Sequence, residues 1–418
     1  MYDIDHVLHF VTELGRRMLL SGANIERVEV TIQRLCHAYG LHNVNNQTMT
    51  TSIFVGATDK DGHYRDRRVA VPACGLDMEK LRKLNRLGYK VAEELPNPAD
   101  LMNILNEEDN AKPYPLYVTL IAQIIAMLAL GRLFGGAWQD LIVIAVASTG
   151  LFFLMKLQAK IHIAKIIANF IAMFLAGLLA LGSYLIGFSQ HVFVILITLA
   201  FFLVPGIQMV NAARNLLCGN EMNGIIEMLK VALEVLTIAA GLAAAFYLLG
   251  DPSMGDIKEV GLVATSFLGN VEIVFISLLA SAAFGATFNI KPKELIFAGL
   301  GGAIIRIVYL SLMALTAYRI VYITVAAFSA ALFAEILAIR YKTPSTIFLY
   351  PAIIPLIPGD LFAFTMFGFV WNNPSLQASG GELALSLIGI SVGFVVCSSL
   401  SHYLRKGKLK KLIQMRAN

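Results

Sequence analysis

From residue 113 onward the chain is a series of long apolar runs parted by short polar breaks, whereas residues 1–112 vary on the shorter periods of surface helices and strands. A helix needs about 20 apolar residues to cross the hydrocarbon core of a bilayer. Windows of that size predict ten spans, near 115–133, 139–156, 163–187, 191–210, 224–250, 260–282, 294–317, 320–339, 346–370 and 382–403. In the N-terminal stretch Ile4, Val7, Leu8, Val11, Leu14 and Met18 recur at helical spacing and predict a helix over 4–20. Ser21, Gly22, Ala23 and Asn24 end it, and Asn24 can cap a second helix over 25–39 that stops at Gly40. Residues 47–56 predict a strand, Asp59–Gly62 a turn, and 64–71 a strand pairing back. Helices over 77–94 and 98–107 follow, separated by Pro96 and Pro98.

The predicted fold is therefore an α-helical polytopic membrane protein with a small N-terminal cytosolic α+β head. The head covers 1–112 and ends in the linker Lys112–Pro113–Tyr114–Pro115. Two five-span modules follow, 113–250 and 251–418, the second with a basic cytosolic tail.

Composition agrees with this division. Of the 418 residues 57% are hydrophobic and only 15% charged, with mean hydropathy +0.69. Soluble domains carry about 25% charged residues, so this chain lacks the charge to cover itself in water. A net charge of +5 is small for the length and gives no argument for a nucleic-acid partner. Cys36, Cys74, Cys218 and Cys397 are scattered, which favours free thiols. The start has no basic region followed by a pure apolar stretch, so no cleavable signal peptide is expected.

Loop charges orient the spans. Lys156, Lys160, Lys165, Arg214, Lys291, Lys293, Arg340, Lys342 and the tail residues Arg405, Lys406, Lys408, Lys410, Lys411 and Arg416 all fall on the side of the head. The loop 251–259 on the other side is mostly acidic, and Arg132 and Arg319 are the exceptions there. The positive-inside rule then places both termini in the cytoplasm.

The two modules resemble each other weakly. Leu203–Val204–Pro205–Gly206 recurs as Leu356–Ile357–Pro358–Gly359, and Asp140–Leu141–Ile142 matches Glu294–Leu295–Ile296 at nearly the same offset. Five spans per half is an odd number, so similar halves must insert with opposite orientation, giving a 5+5 inverted repeat of the transporter type. Proline and glycine interrupt a helix, and freed backbone groups inside a bilayer need protein or water around them. Interruptions at matching positions point to a pathway site, against the plainer reading of a packing kink.

Ionisable residues within spans each cost about 2.5–3.5 kcal/mol at a helix centre and need a reason. They are Glu234, Glu272, Arg306, Glu335 and Asp360. Glu227, Lys230 and Glu234 share one helix face, where Lys230 can pair with the carboxylates. Arg306, after Gly301–Gly302, can hold a substrate carboxylate in a fork or pair with Glu272 or Glu335. Glu234, Glu272, Glu335 and Asp360 are the proton-coupling candidates. No nucleotide-binding, hydrolase or zinc-protease motif occurs, and His6 with His9, or His37 with His42, lack a third ligand at diagnostic spacing, so no cofactor, no metal and no enzyme activity is expected.

The chain resembles the bacterial threonine/serine exporter family along nearly its whole length. Ser21–Gly22–Ala23, Arg27–Val28–Glu29 and Thr31 are similar to the family's cytosolic N-terminal motif, and Phe134–Gly135–Gly136 fits the close of the first span. Residues 203–224 and 344–362 resemble the longer signatures of the two membrane modules; the second module also exists as a separate subunit in relatives linked to succinate export. Asn215 and Asn220 depart from acidic residues common in relatives. The resemblance implies an inner-membrane exporter driven by the proton motive force. It marks Pro205, Gly206, Asn211, Arg214, Tyr350, Pro358, Gly359 and Asp360 as pathway residues, joined by Arg306 from the reading of the spans. The expected partners are the lipid bilayer, protons and a small carboxylate, threonine or serine first and succinate-like dicarboxylates second; a homo-oligomer is compatible with the chain. A passive channel and a membrane-anchored regulator or enzyme working through the head are the rival classes.

Overall fold

In the computed structural model the described residues are 4–72, 75–109, 113–250, 267–370 and 373–417. The expected outer loop 251–259, the start of the sixth span, Lys112 and Cys74 lie outside them. The chain forms two compact units: residues 1–115 with 288–294 and 336–347, and the rest of the chain from 116 on.

The first unit opens with α1 (Ile4–Leu20) and α2 (Ile25–Ala38). Asn24 stands at the N-cap of α2, but its side chain caps no backbone N–H. Three antiparallel strands follow in the order β1 (His42–Thr48), β2 (Ser52–Thr58) and β3 (Tyr64–Ala70). The expected strand over 47–56 is thus two strands joined by a turn at 49–51. β1 is an edge strand of polar residues held by backbone bonds, with Asn46 opposite Val55 and Gln47 opposite Phe54, so it has no alternating apolar pattern to announce it. The turn into β3 is made by Asp59, whose Oδ1 accepts from the N–H groups of Asp61 and His63 at 2.9 and 2.8 Å. α3 (Met78–Glu94) is capped by Asp77, which accepts from Lys80 N at 3.0 Å; a 3-10 turn at Pro98–Asp100 leads into α4 (Leu101–Glu108). Phe10, Leu14, Met18, Ile32, Leu35, Ile53, Met78 and Leu84 are fully buried between the helices and one face of the sheet. At one edge Glu13 takes both Arg16 and Arg17, while Asp109 ties Arg17 to Lys80.

The rest of the chain is helical: α5 (Leu116–Leu133), α6 (Trp138–Ile161), α7 (Lys165–Leu185), α8 (Val192–Leu203), α9 (Gly206–Leu217), α10 (Glu221–Leu249), α11 (Phe267–Thr287), α12 (Pro292–Met313), α13 (Arg319–Tyr341), α14 (Thr346–Ile353), α15 (Gly359–Val370), the short α16 (Pro374–Gln377) and α17 (Ser379–Ala417). Among the described residues eight of these are long and apolar enough to cross a membrane, and two bent pairs, α8–α9 and α14–α15, raise the count to ten. The chain is a multi-pass membrane protein. α17 continues beyond 403, the expected end of the last span, so the basic tail is part of the same helix.

Small residues set the closest helix contacts. A Cβ on Gly302 would meet the Ser277 carbonyl at 2.7 Å, and one on Gly299 the Leu278 carbonyl at 3.0 Å, so α12 lies backbone-close to α11. Gly389 and Gly393 do the same for α17 against α13. In the second unit α5 packs on α11, α7 on α10, α9 on α17, and α10 on α15.

Candidate functional site

The two Pro-Gly breaks are one device used twice. At the first, Pro205 has φ −77° and ψ 63°, and Gly206 N donates to Val204 O at 2.8 Å. That is an inverse γ-turn, whose central residue favours such angles and which proline's fixed φ suits. At the second, Gly359 N donates to Ile357 O across Pro358, also at 2.8 Å. Each break then restarts a helix, with Met209 N on Pro205 O at 2.9 Å and Phe362 N on Pro358 O at 3.1 Å. The bends are 58° and 56°.

The breaks also pack on each other. A Cβ on Gly206 would meet Ile357 Cδ1 at 3.0 Å, and one on Gly359 would meet Phe201 Cδ2 at 2.2 Å and Phe134 Cζ at 3.3 Å. Neither position has a positive φ, so what calls for glycine is close approach, tightest at Gly359 against the Phe201 ring. Beside this contact Asn211 of α9 and Tyr350 of α14 bond at 3.2 Å, so two expected pathway residues meet. Arg214 lies in the last turn of α9, and Asn215 next to it donates to Glu227 of α10 at 2.9 Å.

Arg306 stands next to the second break. Its Nε donates to Ser277 Oγ at 3.1 Å, and one terminal nitrogen donates to the Pro355 carbonyl at 2.8 Å. That carbonyl belongs to the 3-10 turn Ile354–Leu356, just before the break. The guanidinium lies 5.3 Å from the Tyr309 ring centroid. Among the described residues no carboxylate comes within 4.0 Å of it, so the cation is held by neutral acceptors alone. Asp360 is 3.4 Å from Arg319, and its charge also reaches Arg306. The buried Arg319 Nε has no hydrogen-bond partner. Tyr309 and Tyr322 meet edge to face at 4.8 Å beside these groups.

The other candidate carboxylates are occupied elsewhere. Glu272 pairs with Arg132 at 2.7 Å, Glu234 with Lys165 at 2.8 Å, and Glu335 accepts from Ser401 at 3.3 Å. Lys230 makes no ion pair with Glu227 or Glu234 within 4.0 Å; each of these has its own partner on another helix.

Ser277, Tyr309, Tyr322 and Arg319, which stand around Arg306 and Asp360, are not among the residues that the sequence singles out as candidates. Arg319 stood out as a positive charge on the wrong side, and that anomaly was the available signal. Asp140 was legible only in the repeat. It is fully buried at the start of α6, accepting from the N–H groups of Ala137, Gln190 and His191 and from the His191 ring at 2.8 Å, which pins the α7–α8 connection. For a metal, Asp59, Asp61 and His63 offer ligand atoms within 4.8 Å of one another, but on the exposed β2–β3 turn.

The comparisons bear on the whole chain. A threonine/serine exporter family model matches residues 9–249, and a second, described as "Threonine/Serine exporter, ThrE", matches 273–400. A Mycobacterium tuberculosis protein described as "Probable threonine/serine exporter" is 23% identical over 417 residues, covering 96% of this chain and 77% of that protein. No solved structure matches. With residues 9–249 and 273–400 matched, the chain belongs to the threonine/serine exporter family, a family of transporters and not of enzymes.

Proposed function

We propose that this chain exports a small amino acid, threonine or serine, across the bacterial inner membrane in exchange for protons, with both termini and the head in the cytoplasm. The carrying observation is Arg306, a guanidinium among membrane helices whose near partners are a serine hydroxyl and a backbone carbonyl. A cation with no carboxylate in contact is costly there and is matched by an arriving carboxylate, which a guanidinium binds in a planar fork.

The neighbouring groups suit a zwitterion. Arg306 takes the α-carboxylate and Asp360 the α-ammonium. A proton on Asp360 removes its charge and with it the hold on the ammonium, so proton and substrate exclude one another. That exclusion is the logic of antiport. One proton moving down 100 mV supplies about 2.3 kcal/mol, equivalent to about a fortyfold gradient of a neutral solute. A dicarboxylate would meet Asp360 with like charge, which favours the amino acid over succinate. Glu335, Glu234 and Glu272 are secondary coupling candidates, since their partners Ser401, Lys165 and Arg132 are not among the groups around Arg306, whereas Asp360 pairs with Arg319 beside Tyr309 and Tyr322.

The inverted 5+5 arrangement is supported by the paired γ-turn breaks and by matched packing, α9 on α17 and α15 on α10. In such a design the site lies at the repeat interface and access alternates by rocking of the halves.

The test is flux into or out of proteoliposomes under an imposed pH gradient. Arg306→Gln should cut threonine and serine flux by about tenfold or more, the weight of one charge-assisted contact, with Arg306→Lys between it and the parent. Wild-type flux in Arg306→Gln, or flux indifferent to uncouplers, would overturn the reading.

A further inference from the structure

The sheet of the first unit has two edges, and the fold treats them differently. At the β1 edge α2 meets the strand: Thr48 N donates to Glu29 Oε1 at 3.2 Å, and the Asn46 side chain donates to Glu29 O at 2.9 Å. At the β3 edge no hydrogen bond of this kind occurs among the described residues. α1 packs against β3 but leaves Tyr64 to Arg68 and Ala70 exposed.

The ladder shows which backbone groups are left over. Val71 N donates to Thr51 O at 2.8 Å, and Asp59 N to His63 O at 3.0 Å. Bonded and non-bonded pairs alternate along an antiparallel ladder. In this register Arg65, Arg67 and Val69 bond to β2, and the N–H and C=O groups of Tyr64, Asp66, Arg68 and Ala70 point outward. Charges flank that open edge on both faces. Arg65 and Arg67 stand opposite the buried Ala57 and Val55, and Arg68 stands opposite Phe54 on the other face. Asp66 is the one acid on the strand, and among the described residues none of the three arginines forms an ion pair.

An open edge strand is a template for a further strand. Three arginines against one acid repel a second copy of this edge and attract an acidic strand. The β1 edge shows the same chemistry within the fold, where the carboxylate of Glu29 takes the N–H of Thr48. We propose that β3 is a docking edge for an acidic, extended peptide segment of another protein, which pairs with it as an added strand. Backbone bonds to Tyr64, Asp66, Arg68 and Ala70 hold the segment, and Arg65, Arg67 and Arg68 read its carboxylates from the two faces. This role is separate from the transport reading and does not depend on it.

The experiment is fluorescence anisotropy of labelled peptides titrated with the purified full-length protein in detergent, up to about 100 μM. The probe is a peptide of about eight residues alternating glutamate with valine. It should bind saturably, and its lysine–valine counterpart should not. Arg65→Gln, Arg67→Gln and Arg68→Gln together should weaken binding by about tenfold or more. Asp66→Pro keeps all three arginines and removes an N–H that no ladder bond uses, so it should weaken binding while the melting temperature holds. If that variant unfolds, the N-methylated glutamate–valine peptide, which keeps its charges and cannot pair, makes the same test on the unaltered protein and should not bind. No binding of the glutamate–valine peptide, binding untouched by the arginine changes, or equal binding of the N-methylated peptide overturns the proposal. The last result would mark a surface that reads charge alone, as one facing anionic lipid headgroups does.

Discussion

Gly359→Ala tests whether the two breaks work as one packed unit. The added methyl would stand 2.2 Å from Phe201 Cδ2 and 2.8 Å from Cε2, with Phe134 Cζ behind at 3.3 Å. Relieving the first contact to ordinary separation requires the Phe201 ring to move by roughly 1.2 Å or more. The ring has little room, because Phe201 sits 6.2 Å from Phe134, edge to face, in a buried position. Overpacking of this kind costs about 1–3 kcal/mol. Gly206→Ala is the built-in comparison. Its methyl meets only the flexible Ile357 side chain, at 3.0 and 3.3 Å, which a shift of a few tenths of an ångström relieves, so its cost should stay below about 1 kcal/mol. Thermal unfolding of both variants in detergent, with flux in proteoliposomes, separates them. Gly359→Ala should melt lower and transport more slowly than Gly206→Ala. The reverse order, or a Gly359→Ala protein equal to the parent in both readings, would refute the packing argument.

Two further outcomes concern the first unit, and a third compares its Cys36 with Cys218 of the second. Asp77→Ala removes the α3 cap and the Asn289 bond together, and should lower stability by about 1–2 kcal/mol in chemical denaturation, with Asp77→Asn recovering most of the capping part. Glu29 is half-buried with its pKa raised, chiefly by burial and against the Thr48 N–H it accepts. A carboxyl raised on folding supports stability below its unfolded pKa and loses that support as pH rises through the folded value, so Glu29→Gln should gain on the parent at neutral pH and lose the advantage near pH 4, about the unfolded value. Burial pushes the Cys36 thiol up to about 12, whereas Cys218 is exposed, so in a Cys74→Ser background maleimide should label native protein at Cys218 and reach Cys36 only on unfolding.

Much of this architecture is legible in the chain because it rests on periodicity and length. Spans as apolar as α6 or α7 leave one solution, and the head helices place Leu8, Leu14, Ile32 and Leu84 inward at helical spacing. What escapes the pattern escapes for definite reasons. β1 carries His42, Asn43, Asn45, Asn46 and Gln47, and is held by backbone bonds that side-chain polarity does not reveal. α9 runs on past the expected end of its span because Gln208, Asn211 and Arg214 dilute its hydropathy while a packed face of Ile207, Val210 and Ala213 keeps it helical. The Pro-Gly pairs are visible as words, but their mutual contact joins residues far apart in the chain, and no local signal carries it.

The candidate site exposes the same limit more sharply. A sequence displays charges and hides carbonyls, so Arg306 looked free to pair with Glu272 or Glu335. Both have partners elsewhere, Arg132 and Ser401, and the groups that hold Arg306 are a hydroxyl and the Pro355 carbonyl beside the second break. A spanning helix tolerates a charge when a partner or a cavity compensates it. Arg319 with Asp360 and Lys165 with Glu234 have that compensation within the protein. Arg306 has only half of it, with full hydrogen-bond geometry on two sides and no opposite charge in contact. In the proposed transport reading, a substrate carboxylate supplies that missing half.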